Sequence, residues 1–259
     1  MNVDRIDAPD LLVLCGGQGT RLRSVLSDRP KSLAMIKERP FIEFVIAPFL
    51  KQGIGRVILC TGHLGHQLEE WYANRPCTFE LIFSREHTPL GTAGALRHAS
   101  PLITSDTVVV ANGDSVCAVD LRKLLARHAE TKSRATLTLI KADHRRDTGS
   151  VTMDAQHRIT AFREKGADRS GGYHNAGIYV FDRSAIELIP AVKPCSLEID
   201  WLPTLIPSGV SGFVSHGPLH DIGTPERLAE FLAGSCSTDS TRENRFSHSG
   251  GDRCARARG

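Results

Sequence analysis

Residues 11–21 read Leu11-Leu12-Val13-Leu14-Cys15-Gly16-Gly17-Gln18-Gly19-Thr20-Arg21, an apolar run of strand length that passes directly into a glycine-rich turn. Glycine lets the backbone turn sharply and approach a ligand closely. Successive backbone N–H groups left free by such a turn attract anions. The stretch therefore predicts a strand followed by an anion-binding loop, the arrangement found at the carboxyl end of a strand in an open α/β sheet.

Two cations accompany the glycine loop. Arg21 supplies a planar guanidinium that can bind phosphate through two hydrogen bonds, and Lys31 follows ten residues later. We interpret the loop and its cations as a site for a nucleoside triphosphate; a tight surface turn is the alternative that the loop alone leaves open. The loop is not a Walker A loop, because no Gly-Lys-Ser/Thr follows it, and its glycines do not match the dinucleotide pattern G-x-G-x-x-G.

Strand and helix patterns alternate through the first half of the chain. The predicted strands are Arg56–Cys60, Phe79–Phe83 and Thr107–Ala111, and the predicted helices are Leu64–Tyr72, Thr92–Ala99 and Leu121–Ala129. This alternation predicts βαβ units, so we expect an α/β fold with a mostly parallel central sheet and helices on both faces. Ligands of such sheets bind at the carboxyl ends of the strands, where the glycine loop and Asn112-Gly113-Asp114 are both expected.

The second half of the chain has a different character. Its predicted strands are Ala135–Lys141, Ser150–Met153, Ile159–Arg163, Tyr173–Phe181 and Val210–Ser215, with hairpin residues at Asp154-Ala155-Gln156-His157. This spacing predicts a more antiparallel region that forms the second wall of a cleft. A short helix is expected at Ser184–Ile189. Thr224-Pro225 predicts the N-cap and first-turn proline of a last helix that runs to about Leu232.

Length and composition limit the class of protein. The 259 residues are enough for one large α/β domain, and fractions of 41% hydrophobic and 24% charged residues are those of an ordinary soluble protein. No apolar run approaches the roughly 18 residues of a membrane span, and the first ten residues lack the apolar core of a signal peptide. We therefore expect no membrane partner and a cytoplasmic location. Cys15, Cys60 and Cys117 lie in or beside strand patterns, which predicts buried thiols.

The charge distribution separates the body of the chain from its end. Of the net charge of +3, the segment 236–259 contributes +2 from five arginines and three acids, which leaves +1 for residues 1–235. A nearly neutral body argues against nucleic-acid binding. The segment 236–259 is rich in Ser, Thr, Arg and Gly and has one large apolar residue, Phe246. We predict a single domain at 1–235 and a disordered basic tail at 236–259; a basic docking segment is the alternative.

Two acids are candidates for a metal site. Asp114 follows the most apolar strand pattern, and Asp221 comes just before the last predicted helix. Carboxylates combined with substrate phosphates are the usual way in which proteins hold Mg²⁺. An Asx-turn at Asp114 and stabilisation of a helix N-terminus by Asp221 are the structural alternatives, and spacing does not decide between them.

Two further stretches carry polar groups at predicted strand ends. The segment from Glu86 to Ala95 is a second glycine-bearing turn, and its glycines suit close packing against a flat base; a helix start that needs small residues is the alternative. Phe162-Arg163-Glu164-Lys165 ends a strand with an adjacent acid and base. That pair suits a sugar hydroxyl and a phosphate, although a solvated strand end has the same pattern.

In this order, the motifs resemble those of the sugar-1-phosphate nucleotidyltransferases, a family with a Rossmann-like fold of the nucleotide-diphospho-sugar transferase type. The resemblance extends from about Leu11 to Leu232. The matching elements are the Gly-Gly-x-Gly-Thr-Arg loop at 16–21, Arg29-Pro30-Lys31, Leu90-Gly91-Thr92-Ala93-Gly94-Ala95, Asn112-Gly113-Asp114, Glu164-Lys165 with Asn175-Ala176-Gly177, and Asp221-Ile222-Gly223-Thr224-Pro225. The chain departs from the common pattern at Ser32 and Gly166, where many members have proline.

The resemblance implies a role for each matching residue. The implied nucleotide-binding residues are Gly16, Gly17, Gly19, Thr20 and Arg21 at the triphosphate, and Glu86, Gly91 and Thr92 at the base. The implied metal ligands for a catalytic Mg²⁺ are Asp114 and Asp221. The implied sugar-binding residues are Gly149, Glu164 and Asn175, with Lys165 on the sugar phosphate. Arg21, Lys31, Asp114 and Lys165 are the implied catalytic residues.

The resemblance also implies the reaction, in which a nucleotidyl group passes from a nucleoside triphosphate to a sugar 1-phosphate and pyrophosphate leaves. Residues 19–25, 40–43 and 89–92 are similar to the heptose 1-phosphate guanylyltransferase subgroup, which implies GTP and D-glycero-α-D-manno-heptose 1-phosphate. Mannose-1-phosphate guanylyltransferases share the Pro-Leu-Gly-Thr-Ala-Gly turn and stay an alternative. So do uridylyl-, thymidylyl- and adenylyltransferases, and a non-catalytic nucleotide-sugar sensor. The oligomeric state, a homo-oligomer included, is left open.

Overall fold

The computed structural model describes residues 8–22, 24–142, 150–163, 172–191 and 194–237. The strands are β1 (Asp10–Leu14), β2 (Met35–Ile36), β3 (Arg39–Pro40), β4 (Arg56–Thr61), β5 (Glu80–Arg85), β6 (Thr107–Asn112), β7 (Ser115–Cys117), β8 (Ala135–Lys141), β9 (Ser150–Met153), β10 (Ile159–Arg163), β11 (Tyr173–Asp182), β12 (Val210–Val214) and β13 (Leu219–Asp221). The α-helices are α1 (Phe41–Leu50), α2 (Gly65–Ala73), α3 (Gly91–Ala99), α4 (Leu121–Thr131), α5 (Arg183–Glu187), α6 (Leu202–Leu205) and α7 (Pro225–Ser237), and one π-helical turn spans Leu197–Trp201.

Nine strands form one mixed sheet. Its first half has the order β5-β4-β1-β6, and these four strands are all parallel. In the second half, β8 pairs antiparallel along one side of β11. On the other side of β11, β6 pairs antiparallel with residues 178–182 and β9 pairs antiparallel with Tyr173 and His174. β12 adds to β8 in parallel, and β10 adds to β9 antiparallel through the predicted hairpin. The expected α/β class, with a parallel centre and a more antiparallel second half, is confirmed.

The central strands are apolar along their whole length because both faces of the sheet are covered. Leu11, Leu12 and Val13 of β1 are all 0% exposed. Helices α1, α2, α4 and α7 pack on one face, and α3, α5 and α6 pack on the other. A continuous apolar run is what burial on two faces requires, whereas one-sided burial would leave polar residues at alternate positions. The prediction of helices on both faces is confirmed.

Sequence patterns missed helix α1, the π-helical turn and α6, together with the short strands β2, β3, β7 and β13. Helix α1 contains Pro48, has no side-chain cap at Pro40, and has Glu43 as its one polar residue, so it lacks the polar stripe that marks a surface helix. The π-helical turn and α6 were not predicted either, since the two segments are each only one turn long. The last helix continues to Ser237, beyond the expected end at Leu232 and two residues into the predicted tail. The rest of that tail lies outside the described residues.

The topology brings several loops to one edge of the sheet. Since β1, β4, β5 and β6 run parallel, the loops that follow their carboxyl ends lie together at that edge.

Cys15, Cys60 and Cys117 are buried free thiols, as predicted. Among the described residues, no helix has both the length and the apolar character needed to cross a membrane.

Candidate active site

A cleft of about 570 Å³ opens at this edge of the sheet. Its walls come from the loops after β1, β4 and β6, from the segment between β5 and α3, and from the π-helical turn. The lining residues that carry polar side chains are Gln18, Lys31, Ser32, His63, Arg85, Glu86, His87, Thr88, Thr92, Asn112, Asp114 and Glu198. The cleft therefore has both a size suited to a nucleotide and charged groups of both signs.

The glycine loop lines the cleft through Gly16, Gly17 and Gln18. A Cβ atom at Gly16 would lie 3.2 Å from Glu86 Oε1 and from the backbone nitrogen of Gly62, so only glycine fits this turn without displacing its neighbours. Gly19 has a φ of +59°, and a Cβ atom there would lie 3.0 Å from Lys31 Cγ. The loop consequently packs against the aliphatic stem of Lys31, as the predicted common anion site requires.

Thr20 and Arg21 lie in a single turn of 3₁₀-helix that follows the loop. Both side chains are exposed, and neither lines the described part of the cleft. The structure thus places Arg21 on the exposed surface directly after the loop, outside the residues that line the cleft.

Lys31 meets Asp114 inside the cleft. Lys31 Nζ lies 2.9 Å from Asp114 Oδ2, and both side chains keep part of their surface open to solvent. Lys31 begins a short 3₁₀ turn after Pro30, while Asp114 follows the carboxyl end of β6. Two predicted catalytic residues from separate motifs are therefore brought into direct contact.

Asp221 lies on a strand next to the Asp114 loop. β13 pairs antiparallel with β7 so that Asp221 stands opposite Ser115, and the Ile222 N–H donates to the Asp114 carbonyl at 3.0 Å. Asp221 Oδ1 accepts hydrogen bonds from the Gly223 N–H and from Arg227, each at 3.0 Å. The predicted pair of acids therefore belongs to adjacent backbone segments, and each carboxylate pairs with a cation, Asp114 with Lys31 and Asp221 with Arg227.

Glu86 lies between the glycine loop and the turn that precedes α3. Its Oε2 accepts a hydrogen bond of 3.2 Å from the Leu90 N–H. Burial raises the pKa of Glu86 above its usual value, against smaller lowering contributions from that hydrogen bond and from His98. The carboxylate is thus a half-buried acceptor in the lining of the cleft.

Gly91 and Thr92 fix a second segment of the chain. The backbone at Gly91 has a φ of +76°, and the N–H groups of Ala93 and Gly94 donate to the Cys195 carbonyl at 3.0 and 3.2 Å. The Thr92 hydroxyl accepts a hydrogen bond of 2.7 Å from the Leu197 N–H. The start of α3 is therefore capped by residues of the π-helical region, and the Thr92 hydroxyl already has a protein partner.

Glu198 is a cleft residue that sequence reasoning missed. It lies in the π-helical turn and lines the cleft. Its Oε1 accepts a hydrogen bond of 2.7 Å from the Tyr179 hydroxyl. A single acid between Leu197 and Ile199 carries no spacing signal, although π-helical turns are rare and are often found at functional sites.

The predicted sugar-binding residues divide into two groups. Gly149, Glu164 and Lys165 lie outside the described residues. Asn175 is described: its Nδ2 donates to the Tyr179 hydroxyl at 2.8 Å and its Oδ1 accepts from the Gly177 N–H at 3.0 Å. Asn175 does not line the described part of the cleft, so it stands behind Tyr179 and Glu198.

Ser32 is a second missed residue, and it occupies one of the two positions where the chain departs from the family pattern. It is 2% exposed, lines the cleft beside Lys31, and its hydroxyl has no hydrogen-bond partner among the described residues. Sequence reasoning noted the replacement of proline without assigning it a role.

Residues 11–233 match the family model described as nucleotidyl transferase. The chain is 36% identical over 219 residues to the D-glycero-alpha-D-manno-heptose 1-phosphate guanylyltransferase of Aneurinibacillus thermoaerophilus, which covers 84% of this chain and 94% of that protein. It is 33% identical over 230 residues to the mannose-1-phosphate guanylyltransferase of Mycobacterium tuberculosis, which covers 87% of this chain but 63% of that protein.

A solved structure has the same architecture. HddC from Yersinia pseudotuberculosis, crystallised as a complex with GMP-PN, is 29% identical and superposes with a TM-score of 0.77 over 88% of this chain and 99% of that one. Sequence and structural similarity therefore extend over the same body of the chain that carries the cleft.

Proposed function

Because the chain belongs to the nucleotidyl transferase family, we propose that it transfers a guanylyl group from GTP to D-glycero-α-D-manno-heptose 1-phosphate and releases pyrophosphate. The reaction class, nucleotidyl transfer to a sugar 1-phosphate, agrees with the resemblance read from the sequence motifs. The observation that carries the proposal is the cleft in which the glycine loop, Lys31 and Asp114 meet.

The choice of acceptor rests on similarity. The heptose 1-phosphate guanylyltransferase relative is 36% identical to this chain over 94% of its own length. Mannose 1-phosphate is the second candidate acceptor, because the mannose-1-phosphate guanylyltransferase relative is 33% identical. The chain spans 63% of that second relative, so the activity of the full-length relative gives less support to mannose 1-phosphate as the acceptor.

The triphosphate would bind over the glycine loop. Backbone N–H groups around Gly16 and Gly17 offer donors for phosphate oxygens, and the Lys31 ammonium lies next to the loop. Arg21, exposed in the following turn, would bind the leaving pyrophosphate through its guanidinium. These cations stabilise the negative charge that builds on the triphosphate as the bond to pyrophosphate breaks.

Mg²⁺ is proposed to bind at Asp114 and Asp221. No group of three or more His, Cys, Asp or Glu side chains that could hold a metal occurs in the described ranges, so these two acids would need the phosphates as further ligands. That arrangement suits Mg²⁺, which is usually held by one or two carboxylates together with substrate phosphates. When bound, the ion supplies charge neutralisation at the reacting phosphates. Lys31 and Arg227 are the residues that hold the two carboxylates without it.

Guanine is the proposed base because Glu86 offers an acceptor. Guanine presents an N1–H and an amino group on one edge, and a carboxylate can accept from both. Glu86 is half-buried beside Gly16, so an unpaired donor or acceptor there is costly and a mismatched base is disfavoured. Gly91 would allow the base to lie close to the backbone of the turn.

The sugar 1-phosphate would bind against the side of the cleft formed by the second half of the sheet. Glu198 places a carboxylate in the cleft that suits a sugar hydroxyl. Gly149, Glu164 and Lys165 are proposed to complete this side, with the Lys165 ammonium on the phosphate. The mechanism then needs no covalent intermediate, because the sugar phosphate oxygen is itself the nucleophile. Holding it in line with the α-phosphorus can supply about 7–11 kcal/mol of the barrier.

The decisive experiment measures pyrophosphate release for all four nucleoside triphosphates against a panel of sugar 1-phosphates. We expect GTP with the manno-configured heptose 1-phosphate to give the highest kcat/KM, ahead of mannose 1-phosphate. A tenfold preference for UTP or ATP with every manno-configured sugar would overturn the guanylyl assignment. Absence of pyrophosphate release with any pair would overturn the transferase itself and favour a nucleotide-sugar sensor.

A further inference from the structure

We propose that Tyr179 is a positioning residue for the acceptor: its buried hydroxyl holds the Glu198 carboxylate in the cleft and so sets the affinity for the sugar 1-phosphate without touching it. This inference rests on the proposed function and assigns a role to a residue that no sequence motif singles out. Tyr179 lies on β11 and is 0% exposed, whereas Glu198 lines the cleft.

The hydrogen bonds of Tyr179 run in one direction. Its hydroxyl donates to Glu198 Oε1 at 2.7 Å and accepts from Asn175 Nδ2 at 2.8 Å. Burial, followed by the neighbouring Glu198 charge, raises the pKa of the Tyr179 phenol well above its usual value. The phenol therefore keeps its proton, and an ionised carboxylate can only accept it. The direction of the Tyr179–Glu198 hydrogen bond is fixed by chemistry.

Asn175 supports the tyrosine from the other side. With its Nδ2 on the tyrosine hydroxyl, its Oδ1 accepts from the Gly177 N–H at 3.0 Å, so the orientation of the amide is also fixed. Residues four apart in a regular strand lie about 13 Å apart, too far for the Asn175–Tyr179 bond. The register of β11 against β8 shifts between Asn175 and Tyr179, with Gly177 at a φ of +72° inside the bulge. Bulges of this kind are common beside active sites, where they redirect a side chain.

The backbone of Glu198 is held independently of its side chain. The preceding Leu197 N–H donates to the Thr92 hydroxyl at 2.7 Å, and Cys195 is hydrogen-bonded to the start of α3. Loss of the Tyr179 hydroxyl would therefore leave the π-helical turn in place and free only the Glu198 side chain. The expected consequence is a defect in acceptor binding that leaves the nucleotide side unchanged.

The main variant is Tyr179→Phe in the full chain, which removes one oxygen and keeps the aromatic ring. We expect KM for the sugar 1-phosphate to rise about tenfold, the size of a lost hydrogen bond to a charged group. KM for GTP should change less than twofold. Glu198→Ala should raise KM for the sugar 1-phosphate at least as much, and the double variant should match Glu198→Ala within twofold, because Tyr179 acts through Glu198.

The matched control is Phe181→Leu, on the same strand. The Phe181 ring stacks on the Tyr179 ring with centroids 5.9 Å apart and is equally buried, but it has no polar atom. This variant should lower the melting temperature at least as much as Tyr179→Phe while leaving both KM values within twofold of the unmodified chain. The control separates a loss of core packing from a loss of positioning.

Three results would overturn the inference. They are an unchanged sugar KM in Tyr179→Phe, an equal rise in both KM values, and effects of Tyr179→Phe and Glu198→Ala that add fully. Failure of the proposed function is a separate outcome, seen as absence of pyrophosphate release by the unmodified chain with any sugar 1-phosphate. Calorimetric titration with mannose 1-phosphate would then test the same variants at equilibrium, and equal binding by all of them would overturn the inference as well.

Discussion

Lys31 Nζ and Asp114 Oδ2 lie 2.9 Å apart, although the two residues belong to different loops of the cleft. In this pair each charge neutralises the other. Both groups have a second proposed partner, the triphosphate for Lys31 and Mg²⁺ for Asp114. On binding, the triphosphate and Mg²⁺ would therefore replace this ion pair by two others, one at Lys31 and one at Asp114. Until then, the pair keeps both side chains ordered.

Replacement of Asp114 should abolish most turnover without unfolding the chain. Asp114→Asn removes the charge that is proposed to hold the metal, and we expect kcat to fall about a hundredfold or more. The melting temperature should change little, because the Lys31–Asp114 pair is partly solvent-exposed and such pairs contribute about 0–1 kcal/mol. Pyrophosphate release and thermal denaturation measure the two effects.

The control for this variant is Asp28→Asn. Asp28 also forms an ion pair, with Arg29 at 2.9 Å, but it lies outside the cleft lining. Its kcat should equal that of the unmodified chain. Normal Mg²⁺-dependent turnover in Asp114→Asn would contradict the metal assignment.

Replacement of Glu86 should weaken the use of GTP in a pH-dependent way. Glu86→Gln loses the charged acceptor, and we expect kcat/KM for GTP to fall about tenfold to a hundredfold. In the unmodified chain burial raises the pKa of Glu86 above 4.5. As the pH falls through that raised pKa, the acceptor is protonated and kcat/KM for GTP should decline, whereas Glu86→Gln should not show this decline.

The raised pKa of Glu86 also predicts how Glu86→Gln changes the stability of the fold. A carboxyl whose pKa is raised in the folded chain costs stability when it is ionised, so its unfavourable contribution is present at neutral pH and disappears as the pH falls. Glu86→Gln is therefore expected to unfold at the same or a higher urea concentration than the unmodified chain at pH 7. A clear loss of stability at neutral pH would show that the carboxylate has a structural role instead.

Gly91 should not tolerate a side chain. The residue has a φ of +76°, and a Cβ atom would lie 2.7 Å from the Cys195 carbonyl carbon, which is backbone and cannot move aside cheaply. We expect Gly91→Ala to lower the free energy of unfolding by more than about 2 kcal/mol and to lower kcat/KM, because the Cys195–Glu198 segment is displaced. Urea denaturation and the pyrophosphate assay measure both effects.

Gly53 provides the comparison for backbone strain alone. Its φ is +97°, and nothing lies within 4 Å of a Cβ atom placed there. Gly53→Ala should cost about 1–2 kcal/mol of stability and leave kcat/KM unchanged. Equal losses in the two variants would mean that contact with Cys195 contributes nothing.

Asp10 should stabilise the fold above acidic pH. It is 2% exposed, lies 3.0 Å from Arg56, and accepts hydrogen bonds from the N–H groups of Thr104 and Ser105. Burial acts to raise the pKa of Asp10, but these hydrogen bonds and Arg56 outweigh it and hold the pKa below 3.8. Asp10→Ala should lower the free energy of unfolding by about 3 kcal/mol at neutral pH.

The lowered pKa sets the pH range of this effect. The stabilisation by Asp10 is fully present above its unfolded value of 3.8 and is lost as the pH falls through the lower folded value. Urea titrations at pH 7 and at about pH 2 should therefore show the difference from Asp10→Ala shrinking on acidification. Glu80→Ala, which removes the exposed partner of the same arginine at 3.1 Å, should have little effect at either pH.

Several parts of this architecture could be predicted from sequence because they depend on local pattern. The apolar run at Leu11–Val13 predicts a strand buried on two faces, and the glycines at 16–19 predict a turn that brings backbone donors to an anion. Phe41–Leu50 could not be predicted as a helix, because a segment whose one polar residue is Glu43 lacks the alternation of polar and apolar faces on which periodicity depends.

By itself, the sequence determined the fold class, the family resemblance and the approximate position of the phosphate site, because strand, helix and turn preferences act over a few neighbouring residues. Only the tertiary structure decided that Lys31 pairs with Asp114, that Glu198 enters the cleft, and that Tyr179 holds it. These contacts join residues separated by 19 to 83 positions along the chain. Their geometry depends on the packing of whole elements and on one bulge in β11, and no local preference encodes either.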